Sequence, residues 1–192
     1  LVGEKISIEI MVAEVVKCLE DAKIILYPTD TVWGIGCDAT NEKAVQKIYD
    51  LKKREESKSL IILVDSIEML KNYVATISGK VLDILNETEK PTTIIYNSPN
   101  GLAKNTIASD NTIAIRIPKN DFCLQMIKEF GKPIVSTSAN ISGSPTPQSY
   151  SEISNDIKDN VDYVVDLNKE KVNKQSSTIL KIEGGSIVVI RE

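Results

Sequence analysis

The 192-residue sequence contains no histidine. That absence excludes Ser-His-Asp triads, Cys-His dyads, imidazole acid–base chemistry and most zinc sites. Cysteine is sparse: Cys18, Cys37 and Cys123 lie far apart without metal-ligand spacing, and read as reduced, buried thiols of a cytoplasmic protein. Cys37 beside a candidate ligand loop is weighed as a nucleophile and set aside, because nothing near it in sequence would depress its pKa. Six tyrosines, two phenylalanines and one tryptophan provide no obvious stacking platform for RNA bases. No apolar run is long enough to span a membrane, and residues 1–5 do not resemble a signal peptide. The net charge of -4 and pI near 5.1 argue against a general nucleic-acid binder, so any anion site must be a local basic cluster. Neither a G-x-x-x-x-G-K-[ST] loop nor a dinucleotide fingerprint occurs, and no carboxylate cluster has EF-hand or two-metal spacing. A divalent ion, if used, would arrive with a polyphosphate.

What is present is the composition of an ordered core, 42% hydrophobic and 26% charged, with the length of one domain, 1–192. The chain is organised around 24–38, where a short apolar run ends at Pro28 and a loop rich in hydroxyls and glycine follows. Before it, Ser7 would cap a helix over 8–22, with Ile8, Met11, Val12, Val15, Val16 and Leu19 on one face. After it, Thr40 would cap a helix to about 53. Further strands are expected over 59–64, 92–96, 112–117, from 134, and over 162–167. Helices are expected over 67–73, 79–86, 121–130 (capped by Asp121, ended by Gly131) and 150–157. A closing hairpin, 177–182 and 186–191, turns at Gly184-Gly185. Together these predict an α/β protein with helices and a mixed parallel/antiparallel sheet.

Three strand ends carry polar groups that would converge: Thr29 and Thr31; Thr112 and Arg116; Ser136, Ser138 and Asn140. Arg116 alternates with Ile113, Ile115 and Ile117 and so points to the opposite face. A basic cluster, Lys52, Arg54 and Lys58, follows the second helix; as a bare C-terminal cap it would have only dipole value. Hydroxyls, an amide and several cations in one concavity suit an anionic, oxygen-rich ligand such as a carboxylate or phosphate.

In order along nearly the whole chain, YPTDTVWGIGCDA, LKKREESKSLIIL, AIRIP, STSANISGSPTP and SSTIL…VVIR resemble the YrdC-like threonylcarbamoyl-AMP synthases, in their single-domain form. The resemblance implies a twisted, open, mixed parallel/antiparallel sheet flanked by helices, with a large basic cavity, and a nucleotidyltransferase acting on L-threonine, bicarbonate and ATP. Threonylcarbamoyl-AMP and pyrophosphate would be the products, for threonylcarbamoyl-adenosine modification of tRNA. By the same resemblance Thr31, Arg116, Ser136 and Ser177 hold the threonine, with Arg116 on its carboxylate. Arg54, Lys58, Thr112, Ser138, Asn140, Thr146 and Arg191 hold ATP, and Arg54 and Lys52 act in catalysis. Mg2+ would come with ATP, and the product would pass to a tRNA threonylcarbamoyl-transferase complex. No membrane partner is implied.

Departures from the family pattern are Lys58-Ser59 in place of Asn-Pro, Leu63 in place of a histidine, and Lys90-Pro91-Thr92-Thr93 as a remnant of a Pro-Gly-Pro motif. Two other readings compete: an inactive or repurposed paralogue, and a module weakly binding tRNA or double-stranded RNA. The Lys-x-Arg pair and the Ser-Ala-Asn motif favour an active enzyme.

Overall fold

The computed structural model describes residues 2–55, 60–173 and 175–192, with 2–6 known by backbone alone. Helix α1 (Val2–Glu20) leads into β1 (Ile25–Tyr27) and β2 (Gly34–Gly36). Next come α2 (Glu42–Lys52), β3 (Ile61–Leu63), α3 (Ile67–Leu70), α4 (Gly79–Glu87) and β4 (Thr92–Asn97). The chain continues through β5 (Thr112–Arg116), α5 (Asp121–Phe130) and β6 (Ile134–Ser138). It closes with α6 (Asn155–Lys158), β7 (Tyr163–Val164), β8 (Thr178–Glu183) and β9 (Ser186–Arg191). Among the described residues the strands form one sheet in the order β7-β1-β2-β6-β3-β5-β4-β8-β9. The pairs β1–β7, β3–β5 and β4–β8 are parallel and the others antiparallel, the mixed α/β sheet expected from the sequence.

Strand alternation divides the apolar residues between two faces. Ile62, Ile94, Ile113, Ile115 and Val135 pack with Ala44, Val45 and Ile48 of α2 and with Leu70 and Val81. On the other face Ile25, Tyr27, Leu63 and Ile134 meet Val12, Val15 and Leu19 of α1 and Phe122, Met126 and Ile127 of α5. Each large apolar side chain buried this way contributes roughly 1.5–3 kcal/mol. α1 and α5 cover only part of that face. Beyond them Ile61, Ala114, Arg116 and Ser136 of β3, β5 and β6 border an open cavity.

Several boundaries differ from the sequence reading, each for a local reason. α1 begins well before Ser7, so Ser7 lies inside the helix and does not cap it. It ends at Glu20, with Ala22 in the left-handed region (φ 55) while Ala22 N and Lys23 N bond back to Leu19 O and Cys18 O. That is a Schellman ending. Asn41, not Thr40, caps α2, accepting from Lys43 N and Ala44 N, whereas Thr40 donates to Asp38 Oδ1. Asn120, not Asp121, caps α5 through Cys123 N. The expected helix over 150–157 is a 3₁₀ turn (Tyr150–Glu152) and α6, separated by Ser154 in extended conformation (ψ 151). Only Tyr163–Val164 of the strand expected over 162–167 pairs.

The largest difference is β2, whose glycines read as loop. Gly36 lies against the Tyr27 ring and Val135 O, and a Cβ there would be 2.7 Å from each. Glycine permits this central strand to pass between its neighbours. The closing hairpin turns as expected, through Gly184 (φ 55) and Gly185 (φ 81), with Glu183 opposite Ser186.

Candidate active site

A cavity of about 610 Å³ opens on the sheet face left free by α1 and α5. Its walls include Thr31, Arg54, Arg116, Ser136 and Ser138, and, from three later segments, Thr146, Ser177 and Arg191. These are eight of the residues singled out from the sequence, drawn from strand ends and loops far apart in the chain. Strand order explains the convergence: β2, β6, β3, β5, β4 and β8 lie side by side.

One wall is built around Arg116, at the end of β5 and 4% exposed. Its Nη1 donates to Asp30 Oδ1 at 2.5 Å and its Nη2 to Thr31 Oγ1 at 3.4 Å, while Nε finds no acceptor among the described residues. A buried N–H needs an acceptor, and at a cavity wall a ligand oxygen can supply one. The Asp30 loop is set by Thr29, whose Oγ1 accepts from Thr31 N at 3.0 Å and donates to Val32 O at 2.8 Å. Beside Arg116, on β4 and just before β8, are two buried hydroxyls, Thr93 (its cross-strand partner) and Ser177, 2.8 Å apart. Arg191 donates through Nε and Nη2 to Ser177 O (3.2 and 2.9 Å), so the end of β9 holds the start of β8. Burial, then the Arg116 charge, lowers the pKa of Arg191. Two guanidiniums close enough to repel each other favour an anion between them.

The second wall is the end of α2 and the loop after β6. Arg54 borders the cavity, and burial lowers its pKa. Lys52 does not border it. It is 1% exposed, and Nζ donates to the backbone carbonyls of Ser138 and of Asn140, the latter at 2.6 Å. Burial, followed by the Arg54 charge, pushes the Lys52 ammonium down to about 8. Asn140, half-buried, accepts from Ser138 Oγ at 2.5 Å and donates to Ile141 O and Ser144 O. The structure therefore places Lys52 and Asn140 as braces of the loop rather than as cavity walls. Ser142 N bonding to Lys52 O at 2.8 Å completes that brace.

Thr112 is not brought to the cavity. It begins β5, at the opposite end from Arg116, and its hydroxyl donates to Asp110 Oδ1 at 2.6 Å. Lys58 lies outside the described residues. The sequence reading missed Asp30 and Thr93, and also Trp33, Gln148 and Asn173 of the cavity wall. The signal for Asp30 was its place between two hydroxyls in the organising loop. For Thr93 the signal was the Lys90-Pro91-Thr92-Thr93 motif remnant, since a strand threonine by itself looks the same wherever it faces. Cys37 is fully buried, its thiol pushed up by burial, and it does not border the cavity. Among the described residues no group of three or more His, Cys, Asp or Glu side chains could hold a metal ion. Among the same residues no helix is long and apolar enough to cross a membrane.

Comparison with known proteins points the same way. The Sua5/YciO/YrdC family model (telomere recombination) matches residues 17–192. A Methanocaldococcus jannaschii protein, provisionally named threonylcarbamoyl-AMP synthase, is 41% identical over 175 residues, covering 90% of this chain and 80% of its own. The threonylcarbamoyl-AMP synthase of Pseudoalteromonas translucida is 33% identical over 181 residues, covering 92% of this chain and 95% of its own. The crystal structure of P. abyssi Sua5 complexed with L-threonine superposes with a TM-score of 0.86 at 25% identity over 94% of this chain. The chain spans about half of that protein, 53% of its length. With its sheet order, its cavity and a match over nearly its whole length, the chain belongs to the Sua5/YciO/YrdC family.

Proposed function

We propose that this protein is a threonylcarbamoyl-AMP synthase, a nucleotidyltransferase that joins L-threonine, bicarbonate and the adenylyl group of ATP. The observation that carries the reading is the gathering of Arg54, Arg116 and Arg191 with Thr31, Ser136, Ser138, Thr146 and Ser177 around one cavity, in a chain of this family. The threonine amine and bicarbonate condense to a carbamate with loss of water. A carbamate oxygen then attacks the α-phosphate, and the bond to pyrophosphate breaks. The nucleophile is already an anion, so a protein without histidine lacks nothing essential. Its task is positioning and charge stabilisation.

In this reading Arg116 pairs with the threonine carboxylate, and Thr31, Ser136 and Ser177 surround the amino acid. Arg54, Ser138, Thr146 and Arg191 face the nucleotide and its phosphates. Lys52 and Asn140 act through the loop they hold. Mg2+ enters with ATP as part of the substrate, and the labile product passes to a cytoplasmic tRNA-modifying complex. The paralogue and RNA-module alternatives are not favoured, since relatives matching 90% and 92% of the chain carry the synthase name. The test is pyrophosphate release from ATP with threonine and bicarbonate each omitted in turn. Release requiring both supports the synthase; release requiring neither, or no release, overturns it.

A further inference from the structure

Asp30 has no assigned role, yet it makes the principal contact of the Arg116 guanidinium. Its side chain is 6% exposed, one oxygen accepting from Arg116 Nη1 and the other from Lys119 N at 2.8 Å. Both carboxylate oxygens are thus committed to β5 and the segment directly after it. Three strands, β2, β6 and β3, lie between β1 and β5, so no strand pairing requires this contact. The loop reaches across, held rigid by the Thr29 hydroxyl bonds and by Asn173 Nδ2 on Thr29 O at 3.3 Å.

An arginine has many rotatable bonds, and a clamp that relies on one must be ordered before its ligand arrives. Asp30 takes one Nη1 proton and Thr31 one Nη2 proton, leaving further donors on the same fork. We propose that Asp30 is a positioning residue, which holds Arg116 as a preformed clamp for the carboxylate of the amino-acid substrate. This deepens the proposed function and rests on it. The opposing effect is charge: a carboxylate beside the clamp repels the ligand's own. The geometry favours positioning, because Asp30 is anchored at both oxygens while the clamp keeps unspent donors.

The experiment is calorimetric titration of the full chain with L-threonine, comparing wild type, Asp30→Asn and Asp30→Ala, with thermal unfolding confirming that each variant is folded. Asn keeps an acceptor for Arg116 but loses the bond from Lys119 N; Ala loses both. Positioning predicts weakening of about tenfold or more in Ala and an intermediate loss in Asn. The loss should shrink for L-threoninamide, which lacks the carboxylate, and the KM for ATP should stay within about twofold. Should Ala fail to fold, Asn alone decides. Affinity equal to or tighter than wild type in a folded variant overturns the inference, as does an equal loss for L-threoninamide. A wild type that binds no L-threonine overturns the proposed function and this inference together.

Discussion

Arg116 and Lys52 are both cations buried in the interior, 4% and 1% exposed, and both belong to motifs that suggest ligand contact. Their surroundings separate them. Arg116 has a carboxylate partner, an Nε without an acceptor among the described residues, and a place on the cavity wall. Lys52 has two backbone carbonyls as acceptors and no place on that wall. The first is a cation set up to receive an anion; the second is spent on holding a loop. Burial of a charge therefore does not by itself mark a binding residue. What distinguishes the two is whether the buried cation has an ion partner and a place on the cavity wall, or turns away from the cavity to backbone carbonyls.

This contrast can be broken most directly at Arg116. Replacing it by Ala orphans Asp30, which should cost about 3–5 kcal/mol of stability and raise the KM for L-threonine by roughly a hundredfold or more. Denaturant unfolding and steady-state pyrophosphate release would read the two losses separately. Next in size is Lys52→Met. Freed carbonyls of Ser138 and Asn140 should loosen the loop and lower kcat about tenfold, with the KM for threonine nearly unchanged. A parallel rise in the threonine KM would return Lys52 to the cavity.

The same residue sharpens the comparison through pH. Its native pKa, about 8, lies below the ordinary value of 10.5, so between these limits the unfolded chain binds a proton that the native chain does not. Stability contributed by this group therefore rises with pH across that window, by at most about 3 kcal/mol. The difference between wild type and Lys52→Met, followed by thermal unfolding from pH 7.5 to 10.5 (~3 units of pH), should show this rise. A flat difference would mean that the two carbonyls hold the ammonium charged.

Arg54→Ala should raise the KM for ATP by about tenfold and leave threonine binding close to wild type, measured by separate titrations of each substrate. The smallest effect on turnover belongs to Cys37→Ser. A fully buried thiol away from the cavity should be replaceable with activity within about twofold, at a cost of about 1–3 kcal/mol for the added buried hydroxyl. Loss of activity in a folded Cys37→Ser protein would revive a nucleophile.

Element types were legible wherever periodicity was strong. The stripe of α1, the α5 helix with its Gly131 ending, and the Gly184-Gly185 hairpin all follow from local side-chain pattern and turn chemistry. Helix caps were off by one residue at α2 and α5, because adjacent polar residues compete to cap and backbone geometry chooses between them. The glycine strand β2 was misread, since glycine announces flexibility in sequence while here it serves close approach to Tyr27 and Val135.

By itself the sequence determined that the chemistry would proceed without imidazole, that polar groups would cluster at the ends of β1, β5 and β6, and that the sheet would be mixed. Those properties follow from composition and from alternation within single segments. Only the tertiary structure decided that Thr112 starts its strand too far from the cavity, that Lys52 turns inward to carbonyls, and that Asp30 meets Arg116 across three strands. The reason is physical: one residue's neighbours along the chain show which way it points, but strand order and loop packing, summed over long-range contacts, set what it meets there.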